Sequence, residues 1–206
     1  MRRVVRFLAA GLVALAVAAP AWAGAPTEQV RQYTDQVQKI LEDPALRSAD
    51  KRAAVRKVAI EIFDVNETAR RALGPHWQAR TPSERSEFIL LFADLLERTY
   101  ISKIDLYRGE RLRYTNEAVD GEFAIVRAKV VTNKGVEVPV EARMLKRADH
   151  WLIYDITIEN VSLIGNYRTQ FDRIIRTASY GELVRRLKEN RDQFLNEKPA
   201  PAGRAS

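Results

Sequence analysis

The chain has 206 residues, a formal net charge of +7 and no cysteine. It is long enough for one domain with a full hydrophobic core. The lack of cysteine excludes disulfides, thiol catalysis and cysteine metal sites. The charge is modest and forms no dense Lys/Arg block with interleaved aromatic residues, which argues against nucleic-acid binding.

The first 23 residues have the pattern of a cleavable signal peptide. Arg2, Arg3 and Arg6 precede the apolar run FLAAGLVALAVAA, and Ala21-Trp22-Ala23 places small residues where a signal peptidase reads them. We therefore predict cleavage after Ala23 and an exported, soluble mature protein, whose formal charge falls to +4 without the three arginines. An uncleaved anchor is the alternative, although the apolar run is short for a membrane span.

The first half of the mature sequence has helical periodicity, from Gly24 to about Leu106. Thr81-Pro82-Ser83-Glu84 combines a cap, a proline at the first helical position and a glutamate three residues after the cap. The helix that it begins is the most apolar of the mature chain. We predict helices in EQVRQYTDQVQKIL, KRAAVRKVAIEIF, DVNETARRALG and SERSEFILLFADLLERTYISKIDLY, and Asp64, after Phe63, is predicted as a helix cap.

From Arg111 the apolar period changes to two. Four antiparallel strands are predicted, in RLRYTNEAV, EFAIVRAKVVT, VEVPVEARMLKR and WLIYDITIE, with turn residues between them. Two helices follow, in VSLIGNYRTQFDRIIRTA and SYGELVRRLKENRDQFL. The pattern predicts a single α+β domain over residues 24–195, with a four-stranded antiparallel sheet covered by helices on one face. The Pro/Ala/Gly-rich tail at 196–206 is expected to be disordered.

The two middle strands present small apolar side chains on one face. They are Ala124, Val126, Ala128 and Val130 in one strand, and Val136, Val138, Val140, Ala142 and Met144 in the next. Small side chains opposite a broad apolar helix leave space at interior packing density. Either a deep apolar pocket lies between helices and sheet, or large helix side chains such as Phe88, Phe92 and Leu95 fill it.

Catalytic chemistry is sparse in this sequence. His76 and His150 are the only histidines, and their positions suggest surface turns rather than a metal site. In the last strand, simple alternation places Tyr154 with Ile156 on the inner face and Asp155 on the other, toward solvent or Arg143. A Tyr–Asp proton-transfer pair is therefore not expected, and we predict neither an enzyme nor a metal or cofactor.

Three segments, IFDVNETARRALGPHW, TPSERSEFILLFADLLERTY and WLIYDITIENVSLIGNYRTQF, resemble the MlaC-type periplasmic phospholipid-binding proteins. These are also called toluene-tolerance or ABC-transporter auxiliary proteins. The elements LG-x-x-W, T-x-x-ER-x-x-F, W-x-x-YD-x-x-IE-x-VSL and NYR-x-QF occur in order. The resemblance covers essentially the whole mature chain.

The resemblance implies a highly curved sheet wrapped by helices, similar to the nuclear-transport-factor-like cone, with acyl chains inside and the head group near the mouth. It implies a periplasmic phospholipid carrier between an inner-membrane MCE-domain lipid ABC transporter and an outer-membrane lipoprotein–porin complex, which maintains outer-membrane lipid asymmetry. A sister branch associated with hopanoid biosynthesis is one alternative. A small-molecule enzyme on a cone-shaped fold and an interaction module filled by a partner helix are the others.

On this interpretation, lipid would contact apolar side chains of the long helix, the strands and the start of the next helix. These are Phe88, Leu91, Phe92, Leu95, Val126, Ala128, Val130, Val138, Val140, Met144, Tyr154, Ile156, Val161, Leu163 and Tyr167. Each is also a plausible core residue. Asn166 and Arg168 are expected at the rim of the sheet, where an arginine suits a head-group phosphate.

Overall fold

The computed structural model describes residues 26–189, so the predicted signal peptide and the tail at 196–206 lie outside it. The helices are α1 (Pro26–Glu42), α2 (Ser48–Ile62), α3 (Val65–Leu73), α4 (Pro82–Tyr100), α5 (Leu163–Thr177) and α6 (Tyr180–Lys188), with 3-10 helices at Gly74–Trp77 and Ile101–Leu106. The strands are β1 (Arg111–Asp120), β2 (Phe123–Val131), β3 (Glu137–Arg147), β4 (His150–Ile158) and β5 (Val161–Ser162). Across residues 26–189, no helix is both long and apolar enough to cross a bilayer.

The strands form one antiparallel sheet in the order β1-β2-β3-β4-β5. The α+β class is confirmed, but the predicted count of four strands is wrong, since Val161–Ser162 forms a fifth. Glu159 and Asn160 both have positive φ, 49° and 65°, and such two-residue turns reverse the chain tightly. The chain therefore pairs briefly with β4 before α5 begins. The nuclear-transport-factor-like cone stays a prediction.

A bulge in β4 changes which of its side chains share a face. Arg143 pairs with Asp155 and Met144 with Ile153, so Tyr154 is the extra residue. Ile153 and Ile156 consequently face the same side of the sheet, where both line one cavity. The predicted inner face, which joined Tyr154 to Ile156, is wrong for this reason, because strict alternation holds only in a strand without a bulge.

The apolar interior is divided into two parts. The first, which we call the helical cluster, is formed by α3, α4, α5 and α6. Its buried members are Ala69, Ala72, Leu73, Phe88, Phe92, Leu95, Ile164, Tyr167, Phe171, Ile174, Leu183 and Leu187. The second, which we call the sheet layer, packs α1 and α2 on one sheet face through Val30, Ile62, Ala124, Val126, Ala142, Met144, Trp151 and Ile153.

Local capping signals fix where the helices start. The Thr81 side chain accepts from the Glu84 amide, and the Glu84 carboxylate accepts from the Thr81 amide, which is the predicted capping box of α4. Asp64, predicted as a cap, accepts from the Glu67 amide at 2.9 Å and begins α3. Its second carboxylate oxygen accepts from Arg147 Nε at 2.9 Å. Asp64 therefore ties α3 to β3, at the border between the two apolar regions.

Candidate functional site

A cavity of about 470 Å³ lies in the sheet layer, between α1, α2 and the inner face of the sheet. One stripe of α1 borders it, through Val30, Tyr33, Thr34, Val37, Gln38 and Leu41. These positions recur at the spacing of one helix face. From α2 and the residue after it, Val55, Val58, Ala59, Ile62 and Phe63 complete the helical wall.

The sheet forms the opposite wall with small and branched side chains. Val126, Ala128 and Val130 come from β2, Val140 and Ala142 from β3, and Ile153 and Ile156 from β4. Alternation in β2 and β3 turns these residues toward the helices, while the other face carries charged residues such as Arg127 and Lys129 as well as apolar ones such as Ile125. Alanine and valine are too short to reach the helices, so space remains. The predicted pocket between helices and a small-residue sheet face is present.

The helices that cover this face differ from those expected. Sequence reasoning assigned the cover to the most apolar helix, α4, but α1 and α2 take that place. The signal that could have indicated them is the α1 stripe Val30, Tyr33, Val37 and Leu41, which is apolar along a helix with an otherwise polar surface. A less apolar helix suffices, because a cavity wall has fewer apolar neighbours to pack against than a filled core.

The fifteen predicted lipid contacts are distributed over both regions. Five of them line the cavity, namely Val126, Ala128, Val130, Val140 and Ile156. Phe88, Phe92, Leu95 and Tyr167 are buried in the helical cluster, and Leu91 and Leu163 pack against it. Met144 is buried in the sheet layer, Val138 is half-buried on β3, and Val161 is exposed on β5. None of these last nine is among the lining residues of the cavity.

Tyr154 also stands apart from the cavity lining. Its ring packs under the Arg71 guanidinium, 3.9 Å from the ring centroid, in a cation–π contact with α3. The β4 bulge explains this position. Tyr154 is thereby a contact between strand and helix.

The aromatic residues of α4 and α5 pack on one another. The Phe92 ring lies 5.2 Å from the Tyr167 ring and 5.4 Å from the Phe171 ring, both near perpendicular, with centroid distances in the range favoured by aromatic pairs. Phe88 stacks on Phe92 at 5.7 Å. Burial raises the pKa of the Tyr167 hydroxyl. These rings fill the helical cluster with their own bulk.

The predicted rim residues lie on α5, outside the cavity lining. Asn166 accepts a hydrogen bond from Gln170 at 3.3 Å. The stem of Arg168 runs over Gly74, where an added Cβ would lie 3.0 Å from Arg168 Cδ and the backbone has φ +56°. The positive φ favours glycine there, and any larger residue would also have to displace the Arg168 stem by a few tenths of an ångström. Asn166 and Arg168 thus belong to the surface near the junction of α3 and α5.

Asp155 is buried, so the expectation that it meets solvent is wrong, whereas Arg143 does lie directly opposite it in the register of β3 and β4. Its carboxylate accepts from Ser162 Oγ at 2.6 Å and from the Ile164 amide at 3.0 Å. Ser162 Oγ in turn accepts from the Gly165 amide and caps α5. An anionic side chain is favoured at a helix N-terminus. Asp155 therefore anchors α5 on β4 and is not among the residues that border the cavity.

Polar groups are few in the cavity wall. The Thr34 hydroxyl and Tyr114 hydroxyl share a 2.6 Å hydrogen bond, and burial raises the pKa of Tyr114. Tyr107, Glu110 and Arg111 border the cavity where β1 begins. Sequence reasoning did not identify these three, since isolated polar residues at a strand start carry no distinctive pattern.

Both histidines lie away from this cavity. His76 Nε2 lies 2.9 Å from Asp172 Oδ1 in the helical part of the molecule, and His150 is exposed at the start of β4. Within residues 26–189, no group of three or more His, Cys, Asp or Glu side chains is arranged to hold a metal ion. The cavity is therefore suited to enclosing an apolar ligand.

An α+β protein with an apolar cavity between two helices and an antiparallel sheet has the architecture of a ligand-binding protein. The chain belongs to the MlaC protein family, whose model matches residues 31–189. It is similar to the phospholipid-binding protein from Ralstonia solanacearum, a structure solved in complex with a phospholipid. The two are 27% identical with a TM-score of 0.73, over 84% of this chain and 99% of that chain. Comparison with curated proteins gives no match.

Proposed function

We propose that this protein is a periplasmic phospholipid carrier rather than an enzyme, with acyl chains held in the cavity between α1, α2 and the sheet. The observation that carries the proposal is this apolar cavity, in a chain of the MlaC family. The similarity to a phospholipid-bound relative supports the same conclusion.

The energetics of acyl chains suit such a site. Transfer of a lipid from an apolar environment into water costs about 0.8 kcal/mol for each CH₂ group. A carrier must replace that water with apolar walls, as the valine, leucine, isoleucine and alanine side chains here do. The head group can stay in water, so no large charged pocket is required.

The proposed partners are those that the family resemblance implies. We propose that lipid passes between an inner-membrane MCE-domain lipid ABC transporter and an outer-membrane lipoprotein–porin complex, and that this transfer maintains outer-membrane lipid asymmetry. Export by the predicted signal peptide would bring the protein to that compartment. Transfer then needs docking and opening of the cavity, not bond making.

Native mass spectrometry of protein gently purified from the periplasm tests the proposal. We expect a bound mass that lipid extraction identifies as a phospholipid. A hopanoid would instead indicate the sister branch, and protein found only empty would count against a carrier.

A cavity-filling variant locates the site. Ala128→Phe places a ring in the cavity, where Ala128 is buried, and should lower the bound lipid to a small fraction of wild type. Ala118→Phe is the matched control, because Ala118 is exposed on the neighbouring strand β1. Lipid retained by Ala128→Phe at the level of Ala118→Phe would place the acyl chains elsewhere.

A further inference from the structure

Three side chains form a polar cluster between the end of α1 and the start of β1. Arg111 Nη1 donates to Glu42 Oε1 at 2.5 Å and to the Tyr107 hydroxyl oxygen at 2.8 Å. The Tyr107 hydroxyl shares its one proton between the same Glu42 oxygen, at 3.1 Å, and the Glu110 carbonyl oxygen, at 3.2 Å. One carboxylate oxygen thus accepts from a guanidinium and from a phenol. We call Glu42, Tyr107 and Arg111 the mouth cluster.

This cluster lies where the cavity meets solvent. Tyr107 and Arg111 are lining residues, and the side chains of Arg111 and Glu42 are 56% and 46% exposed. The lining residues far from it along the sheet, such as Val126 and Ile153, are buried. An amphiphile with its chains among the buried residues would therefore present its head group to the mouth cluster.

Glu42 carries a negative charge at an unfavourable position in α1. It is the last residue of α1, and a negative charge is disfavoured at a helix C-terminus because the macrodipole is negative there. Its contacts with Arg111 and Tyr107 compensate, and the hydrogen bond from Arg111 is the main cause of its lowered pKa. The Glu42 carboxylate is thus held by the donors of the mouth, not by its own helix.

Those donors match a phosphate at least as well as a carboxylate. A guanidinium presents parallel N–H groups that fit the oxygens of a phosphate, and a phenol hydroxyl supplies a further donor. Phosphate oxygens from the solvent side can reach the same atoms, since Arg111 is more than half exposed.

The geometry points to an anion subsite at the cavity mouth, in which Arg111 and Tyr107 bind the phosphate of a phospholipid head group and Glu42 occupies their donors until that phosphate displaces it. This inference rests on the proposed function and adds the head-group contact to it. Displacement of Glu42 also removes a direct tie between the end of α1 and β1, so that lipid entry loosens this edge of the cavity.

The test compares two lipids that have the same acyl chains, one with a phosphoglycerol head group and one without it. Delipidated protein is titrated with dioleoyl phosphatidylglycerol and with dioleoylglycerol, which has the same chains and no phosphate. Arg111→Gln should weaken phosphatidylglycerol binding by about fivefold, the size expected for a partly exposed ion pair. Glu42→Gln should strengthen it by about twofold or more because the resident competitor loses its charge. Neither variant should change dioleoylglycerol binding.

Arg113→Gln is the matched control, since Arg113 lies two residues along β1 and pairs with Glu137. It should bind both lipids as wild type does. If Arg111→Gln weakens both lipids equally, Arg111 only supports the wall and the subsite is refuted. If Glu42→Gln leaves phosphatidylglycerol binding unchanged or weaker, Glu42 is not a competitor.

Titration with inorganic phosphate tests whether the subsite binds a lipid head group or free phosphate. Without acyl chains it should not bind detectably at millimolar concentration in calorimetry. Micromolar binding that Arg111→Gln abolishes would reassign the site to free phosphate and overturn the head-group inference. A wild-type protein that binds neither lipid refutes the carrier itself, whereas one that binds both lipids without dependence on Arg111 refutes only the subsite.

Discussion

The helical cluster and the sheet layer differ in how closely their side chains pack. In the helical cluster, Phe88, Phe92, Tyr167 and Phe171 are almost fully buried and contact one another through their rings. In the sheet layer, alanine and valine face the helices across a cavity of about 470 Å³. The comparison shows that a set of contacting rings fills one region, while alanine and valine side chains leave room in the other.

Helix α1 shows how a helix is held beside a cavity. Gln29 Nε2 donates to the Trp151 carbonyl and its Oε1 accepts from the Trp151 amide, both at 2.9 Å. Thr34 bonds to Tyr114, and Glu42 bonds to Arg111. These polar contacts occur along the length of α1, and they position a helix whose apolar stripe has space instead of close-packed neighbours.

The largest expected effect is the removal of a ring from the helical cluster. Phe92→Ala should lower the free energy of unfolding by about 3–5 kcal/mol, since Phe92 contacts three other rings and a cavity would replace it. Urea denaturation of the purified variant measures this. A loss below about 1 kcal/mol would mean that the neighbouring side chains move into the gap, and that the helical cluster is not rigidly packed.

The junction between the sheet and the helical cluster gives the next effect. Asp155→Ala leaves the Ile164 amide and the Ser162 hydroxyl without their acceptor, which should cost about 2 kcal/mol. Ala118→Ser is a suitable surface control and should be near neutral. If phospholipid binding survives in folded Asp155→Ala protein, the residue is a support of α5, as its contacts indicate. Loss of binding at unchanged stability would contradict this role.

Local signals in the sequence were sufficient for much of the fold. The cap residues Thr81 and Asp64, and the alternation of β2 and β3, predicted helix starts and a small-residue face that the structure has. These features depend on neighbours within a few residues. The same face left two alternatives open, a pocket or an interior filled by large helix side chains, and the structure has the pocket.

Two features escaped sequence reasoning because they depend on distant contacts. Apolar content alone favoured α4 as the cavity cover, although the aromatic residues of α4 pack against those of α5. The bulge at Tyr154 reversed the face order of β4, and no residue in that strand signals a bulge. Predicted contacts on α4 and α5 therefore fell in the helical cluster, while those on β2, and Val140 on β3, line the cavity.

A matched pair of alanine substitutions tests the comparison directly. Ala72→Leu in the filled helical cluster should cost about 1–3 kcal/mol, because added methyl groups have no space. Ala128→Leu, beside the cavity, should change stability by less than about 1 kcal/mol because the same atoms enter a void. Urea denaturation of lipid-free proteins compares the two. Equal costs would show that the sheet layer is as closely packed as the helical cluster.

The smallest expected effect concerns the exposed edge of the helical cluster, at α6. Hydrogen bonds from Arg185 and Arg186 lower the pKa of Glu182 from 4.5 to about 2. A carboxyl whose pKa is lower in the folded than in the unfolded protein stabilises the fold above its unfolded pKa, and this contribution is lost as the pH falls toward the folded value. The difference in thermal midpoint between wild type and Glu182→Gln should therefore be small at pH 7 and shrink between pH 4.5 and 2.

A difference that stays constant with pH would show that the glutamine disturbs the helix start rather than the ion pairs. A small difference at pH 7 agrees with a cluster held by buried rings, since exposed ion pairs contribute little.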